Sequence, residues 1–248
     1  MDKGLIRTGS GSSSEVFKAS DTEAFKLYYP GYSLLEVVRE YENTSFVRRV
    51  YEKAPWVQEP GQREGRITLP LELIQGQGLA KILRFGDARE VGMSLGIMHR
   101  DLHVRPSEGL PPAKSVFEPV ILDSPGIPEG KRKNCLSFLR ERRDDRLCHG
   151  CFHPGNIVQT NSGWRLINWK YAFSGDPLAD VAATVYHLRS SSRAGRRSPV
   201  LEPLLRDRLI RWYLKGYFGK EEIPRQDITI WMEITAIRFR GFAKERLS

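Results

Sequence analysis

The stretch LCHGCFHPGNIV, residues 147–158, followed by WRLINWKYAFSGDPLADVA at 164–182, decides how this chain is read. Asn156 stands five residues beyond Cys151, and Asn168 follows twelve residues later. Between them two short apolar runs, NIVQT and WRLINW, surround NSG and predict a β-hairpin. Phosphoryl transfer needs a group that orients the acceptor, an oxygen ligand for metal on the same loop, and a second metal ligand facing it across the phosphates. A loop, a hairpin and a second loop deliver those three positions. Here they hold a thiol and two amides.

Upstream, residues 5–29 read as strand, turn, strand, strand. LIRTG and EVFKA flank a Gly/Ser turn, and EAFKLYY is a short apolar strand. Gly9 and Gly11 in GSGSSSEV let backbone amides approach phosphate oxygens closely, although an ordinary hairpin tip has the same composition. Lys26 lies on the third strand, where it can pair with phosphates, and Glu40 on the next helix can orient it. Taken singly, Lys26 reads as a surface charge and Glu40 as a solvated helix residue. The segment 33–50 has helical period, with Leu34, Val37, Val38, Tyr41 and Phe46 on one face, Ser33 placed to cap and Glu36 in the first turn. RITLPLELI (66–74) reads as a strand whose proline suits an edge or bend, and GQG (76–78) breaks the pattern.

Beyond that break the chain turns helical. Residues 87–104 place Val91, Leu95, Met98 and Leu102 at helical spacing. Residues 105–130, rich in Pro, Gly and Ser, read as a long loop, 135–147 as a helix, and the chain from DPLADV onward as helices separated by RAGRRSP and GKEEIP. The predicted organisation is α+β in two lobes. Residues 1–75 form a small β-rich N-lobe with one helix, and 76–248 a larger helical C-lobe carrying the catalytic-loop-like segment 147–169. A hinge falls near residues 73–78.

These motifs resemble the aminoglycoside phosphotransferase and choline kinase family, the small-molecule branch of the protein-kinase-like fold. The family pattern is H-G-D-x-x-x-x-N, a short hairpin, I-D-W, then G-D-P-x-x-D. This chain reads HGCFHPGN, INW and GDPLAD, and GSGSSSEVFK, FKLYYPG, REYE, LELIQGQGL and GIMH follow in the family's order over essentially the whole length. The resemblance implies ATP, or another nucleotide, between two lobes. Gly9 and Gly11 would approach the phosphates, Lys26 and Glu40 anchor them, and residues 72–76, with Glu72 and Ile74, form the adenine-side hinge. It also implies that Asp180 braces the catalytic loop from a buried helix, where its plainer reading is a helix cap or a surface charge. HRDL at 99–102 copies the protein-kinase string, but Pro106 stands where a metal-binding Asn belongs, and the segment is amphipathic helix.

Two departures set this chain apart. Cys151 replaces the family's catalytic Asp, and Asn168 replaces its main metal-binding Asp. A neutral thiol is a poor acceptor for a hydroxyl proton, and general-base assistance is typically worth about 10²–10⁴ in rate. Magnesium prefers charged hard oxygens, so Asn156 and Asn168 make a weak metal site or none. The expectation is a pseudokinase-like or repurposed protein that binds a nucleotide, a small molecule, a peptide or a partner enzyme. The alternatives are an active ATP-dependent phosphotransferase, with a carboxylate such as Asp176 compensating, and covalent chemistry at Cys151 beside His149 and His153. Cys148 and Cys151 form C-x-x-C, and CHGCFH offers two sulfurs and two imidazoles, so a redox pair or zinc site is a further reading, against a buried apolar Cys148.

Composition narrows the partners. The net charge is +9 and the pI about 9.6, which suits anionic partners and argues against a polycationic aminoglycoside. The basic clusters KRK (131–133), RERR (140–143) and RAGRR (193–197) sit in polar, loop-like surroundings without interleaved aromatics, so nucleic acid is set aside. No apolar run is long enough to cross a membrane, the start lacks a secretory signal, and three cysteines suggest no disulfide framework. A cytoplasmic location follows as the expectation.

Overall fold

The computed structural model describes residues 6–143, 145–190 and 203–244, so the basic run 193–197 lies outside the described residues. The chain divides into two compact units. One holds the chain up to Leu79 together with Asn156–Tyr171, and the other holds Ala80–Gly155 and the chain from Ala172 onward.

In the first unit, β1 (Ile6–Ser10), β2 (Ser14–Lys18), β3 (Glu23–Tyr28), β4 (Gly61–Arg63) and β5 (Arg66–Glu72) form an antiparallel sheet in the order β1-β2-β3-β5-β4. The Gly/Ser tip is closed by Gly11 N–H donating to the Ser14 carbonyl at 2.8 Å. Strand β3 is central, and Ala24, Phe25, Leu27 and Tyr28 are buried on its two faces. Pro70 lies inside this sheet rather than at its edge, opposite Phe25 of β3. It is tolerated because its carbonyl, and hence its missing N–H, faces the segment around Gln58, which donates to the Pro70 carbonyl at 3.0 Å.

Helix α1 (Leu34–Val50) begins after Ser33 as expected, but the Ser33 side chain makes no capping bond. Its inward face also differs from the apolar stripe. Leu34 is 57% exposed, while Val37, Glu40, Asn43, Thr44 and Val47 are buried. Each polar member has a partner: Thr44 donates to the Glu40 carbonyl at 2.6 Å, and Asn43 donates to the Lys170 carbonyl at 3.2 Å. Burial of a polar face is inexpensive when its groups are bonded. Strand β6 (Gln77–Gly78) joins the hairpin of β8 (Ile157–Thr160) and β9 (Gly163–Leu166) in a small sheet ordered β6-β8-β9.

The second unit is helical: α3 (Ala88–Leu102), α4 (Ala113–Asp123), α5 (Glu129–Arg140), α6 (Pro177–Ser190), α7 (Pro203–Phe218) and α8 (Arg225–Lys244), after a single turn, α2 (Leu79–Ile82), at the junction. Strands β7 (Arg146–Cys148) and β10 (Phe173–Gly175) pair antiparallel. Helix α3 buries Leu95, Met98 and Leu102 and packs closely on α7, where a Cβ at Gly96 would lie 2.3 Å from the Tyr213 carbonyl oxygen. The stretch 105–130 is not a loop throughout, because α4 occupies its middle. Ala113, Phe117 and Ile121 form a buried i, i+4, i+8 face, and Pro119 sits on the exposed side. Helix α5 starts six residues earlier than expected, and its pattern gives way to β7 before residue 147. No described helix is long and apolar enough to cross a membrane.

Candidate functional site

The first unit gathers four of the sequence candidates. Lys26 on β3 pairs with Glu40 of α1, whose other oxygen accepts from the buried Tyr28 hydroxyl at 2.7 Å. The Lys26 ammonium also reaches Asn168 Oδ1 at 3.4 Å, and Asn168 Nδ2 donates to Asn156 Oδ1 at 3.3 Å. A lysine only donates, so its bond fixes which end of the Asn168 amide is oxygen. The hairpin positions both amides: Ile167 N–H donates to the Asn156 carbonyl, and Asn168 adopts φ +69°, a left-handed conformation that asparagine tolerates well. Helix α1 is tied to the turn that follows by the Asn43 amide and by Lys170, which bonds Tyr32 and lies 3.2 Å from Glu36.

Gly9 lines up with this cluster through the sheet register, where Gly9 faces Val16 and Val16 faces Lys26, whereas Gly11 lies beyond the paired residues in the turn closed on Ser14. Glu72 and Ile74 lie elsewhere. Lys26 pairs with Leu69 and Glu23 with Glu72, so the two-residue alternation puts the Glu72 side chain on the sheet face opposite Lys26. There its carboxylate accepts from Arg165 at 2.7 Å and from the Trp56 N–H at 3.3 Å. Glu72, Ile74, Trp56, Gln75 and Arg165 line a cavity of about 330 Å³ that none of Lys26, Glu40, Asn156 and Asn168 borders.

In the second unit the centre is Asp180 of α6, fully buried. One carboxylate oxygen accepts His149 N–H and the imidazole Nε2 of His99 at 2.9 Å, with His103 Nε2 at 3.4 Å, and the other accepts Gly150 N–H at 2.9 Å. Gly150 at φ +74° makes the turn that points two successive amides at one carboxylate. The Tyr213 and Tyr217 hydroxyls bond Nδ1 of His99 and His103 at 2.8 and 2.7 Å. Burial lowers His99 to about 4, so near neutral pH it is an uncharged donor. Burial opposes ionisation of Asp180, yet His99 and His103 outweigh it and hold the carboxyl well below its usual range. His103 is a member that the sequence reading missed; its only signal was a histidine four residues after His99 on one helical face.

Cys151 is buried in the loop after β7, and its backbone N–H donates to His149 Nδ1 at 3.1 Å. His153 Nδ1 accepts from Gly155 N–H at 3.0 Å, and burial lowers its pKa to about 4. Cys148 ends β7 as a buried thiol directed at the Asp176 carbonyl, 3.7 Å away. The donors of CHGCFH do not converge as a zinc site requires. Among the described residues, the group with ligand-type atoms within 4.8 Å of one another is His99, His103 and Asp180, which are already hydrogen-bonded together. Asp176 caps α6 through Leu178 N–H at 2.8 Å and accepts the Trp231 indole N–H at 3.4 Å. HRDL lies within α3, where Asp101 pairs with Arg105 at 2.9 Å.

Among solved structures, the chain is similar to an aminoglycoside phosphotransferase from Streptomyces rimosus in complex with ADP and streptomycin. The TM-score is 0.61 at 15% identity, covering 96% of this chain and 94% of that one. It is also similar to a choline/ethanolamine kinase family protein from Mesorhizobium loti, with TM-score 0.62, 16% identity and coverage of 98% and 79%. This is the aminoglycoside phosphotransferase and choline kinase fold. Residues 123–223 also match the sequence model of the phosphotransferase enzyme family. A thiamine kinase from Escherichia coli is 34% identical over 85 residues; that match spans 32% of this chain and 31% of the relative's length.

The metal that phosphotransferases employ finds a poor donor set here. Magnesium takes octahedral, preferably charged oxygens. Asn156 and Asn168 are neutral, they bond each other, and the Asn168 oxygen faces an ammonium. Glu40, the carboxylate in this cluster, is paired with Lys26 and Tyr28. These residues do not fit the ion.

Proposed function

We propose that this protein binds a nucleotide on its phosphotransferase fold without transferring the phosphate, and acts by binding. The product of that binding is a nucleotide-loaded surface for a small molecule, a peptide or a partner enzyme. One observation carries the reading: the Lys26–Glu40 pair is built and partly buried, while two positions that transfer relies on hold Cys151 and Asn168 in place of carboxylates. In protein kinases a strand lysine paired with a helix glutamate anchors the nucleotide phosphates. Without a carboxylate base the acceptor hydroxyl loses assistance worth about 10²–10⁴ in rate. The other candidate carboxylate, Asp176, is engaged by α6 and Trp231.

The test is a thermal-shift series with ATP, ADP and GTP beside an ADP-release assay on the same preparation. Stabilisation by at least one nucleotide with no release above background is the expected result. Steady release would overturn the reading. The stretch shared with thiamine kinases favours a second reading, an ATP-dependent kinase of a small alcohol. That reading requires release that depends on both an added alcohol and magnesium.

A further inference from the structure

We infer that the ligand is the metal-free polyphosphate anion, with the Lys26 ammonium in the place of a divalent ion, so that magnesium weakens binding instead of supporting it. The inference rests on the nucleotide reading above and adds its chemical form.

Three observations converge. The charges of the cluster cancel, Lys26 against Glu40, and Asn156 and Asn168 add none. An aspartate at 168 would add a negative charge, which attracts a cation and repels a bare phosphate. Second, the amide of Asn168 is turned by Lys26. Its oxygen accepts from the ammonium and its NH2 group points to Asn156, so the two side-chain oxygens are not presented jointly to one ion. Third, the Lys26 side chain is 15% exposed and its ammonium bonds Glu40 and Asn168, two partners for a group with three donors, which leaves it a donor for an anion. A magnesium–nucleotide complex brings an ion that finds in this cluster only the Glu40 carboxylate, already engaged by Lys26 and Tyr28, and chelation withdraws the phosphate oxygens that Lys26 would bind.

The experiment is calorimetric titration of the intact protein with ATP in EDTA and again in excess magnesium. Apparent affinity should fall about tenfold or more in magnesium, because the ion removes the competent ligand by mass action. Asn168→Asp should reverse the order, binding ATP more tightly with magnesium than without. Tighter binding of ATP by the native chain in magnesium would overturn the inference and leave nucleotide binding standing. Absence of binding under both conditions would remove the nucleotide reading and this inference with it. The two native titrations decide the matter even if the variant fails to fold, and tripolyphosphate in EDTA separates phosphate recognition from base recognition. It should compete with ATP in EDTA; failure to compete would overturn the role given to Lys26.

Discussion

The two clusters of this molecule treat charge in opposite ways. Around Asp180 a single buried carboxylate collects four donors, two from backbone amides and two from imidazoles, and each imidazole is backed by a tyrosine hydroxyl. Around Lys26 the chain keeps one ion pair and lets two amides bond each other. The carboxylate that holds the 149–151 loop has a full set of donors, whereas the Lys26 cluster carries amides at 156 and 168. A buried carboxylate that meets four donors is a poor place for an amide, whose N–H groups would face donors where acceptors are needed.

The hardest way to break that contrast is Asp180→Ala. It leaves the His149 and Gly150 amides and two histidines without their acceptor in a dry site. Disrupting a buried charged network of this kind costs about 3–5 kcal/mol. At this chain length the midpoint of thermal unfolding should drop by roughly 10 °C, measured by circular dichroism. A drop of only a degree or two would mean that the brace contributes little to stability.

Acid should sharpen the same contrast. His99 and His153 are lowered by burial to about 4 and His187 to about 3, against an ordinary value of 6.5. Between those values the unfolded chain binds protons that the folded chain refuses. Stability contributed by the neutral histidines is present above pH 6.5 and is lost as pH falls towards 4, each group adding a slope of up to about 1.4 kcal/mol per pH unit. Asp180, lowered, retains its contribution through this window and loses it only on further acidification. Urea unfolding at stepped pH measures the slope, and His99→Phe should reduce it by about one proton's worth.

How much of this was legible in the sequence differs between the clusters for a physical reason. Strands β1 to β3 and the 157–166 hairpin follow from alternation and turn residues, which are local signals. The extent of α1 was legible but its inward face was not, because Glu40, Asn43 and Thr44 are buried by partners that periodicity cannot see, Asn43 reaching Lys170 across 127 positions. Helix α4 was hidden by proline-rich composition, since Pro119 lies past its first turn, where a proline argues against a helix. Asp180 was read through resemblance. His103 and Tyr217 were not, since their bond joins residues 114 apart.

Cys151→Ser probes the replaced loop. A buried thiol behaves as a small apolar group, and a hydroxyl in its place must be desolvated, at about 1–2 kcal/mol. The variant should stay folded with a midpoint lowered by a few degrees, and nucleotide stabilisation should persist. Iodoacetamide should label Cys151 of the native protein slowly, at a rate set by opening of the loop, because the residue is only 7% exposed. Rapid labelling near neutral pH, together with loss of ligand binding in the serine variant, would favour covalent chemistry at this thiol.

The smallest expected change in stability is at Asn168→Asp, and there the contrast between the clusters is most exposed. The new carboxylate would gain the Lys26 ammonium, now 3.4 Å from the amide oxygen, and lose the donor that reaches Asn156 at 3.3 Å. An attraction gained and a hydrogen bond lost should leave stability within about 1 kcal/mol, since partly exposed pairs of either kind contribute about that much. Thermal unfolding should therefore move by only a few degrees, a small fraction of the Asp180→Ala effect. The left-handed backbone at 168 accepts aspartate about as well as asparagine, so no strain distinguishes the two. A large destabilisation would show that the amide pair is itself a brace, and the division between a stabilising carboxylate cluster and a replaceable polar one would fail.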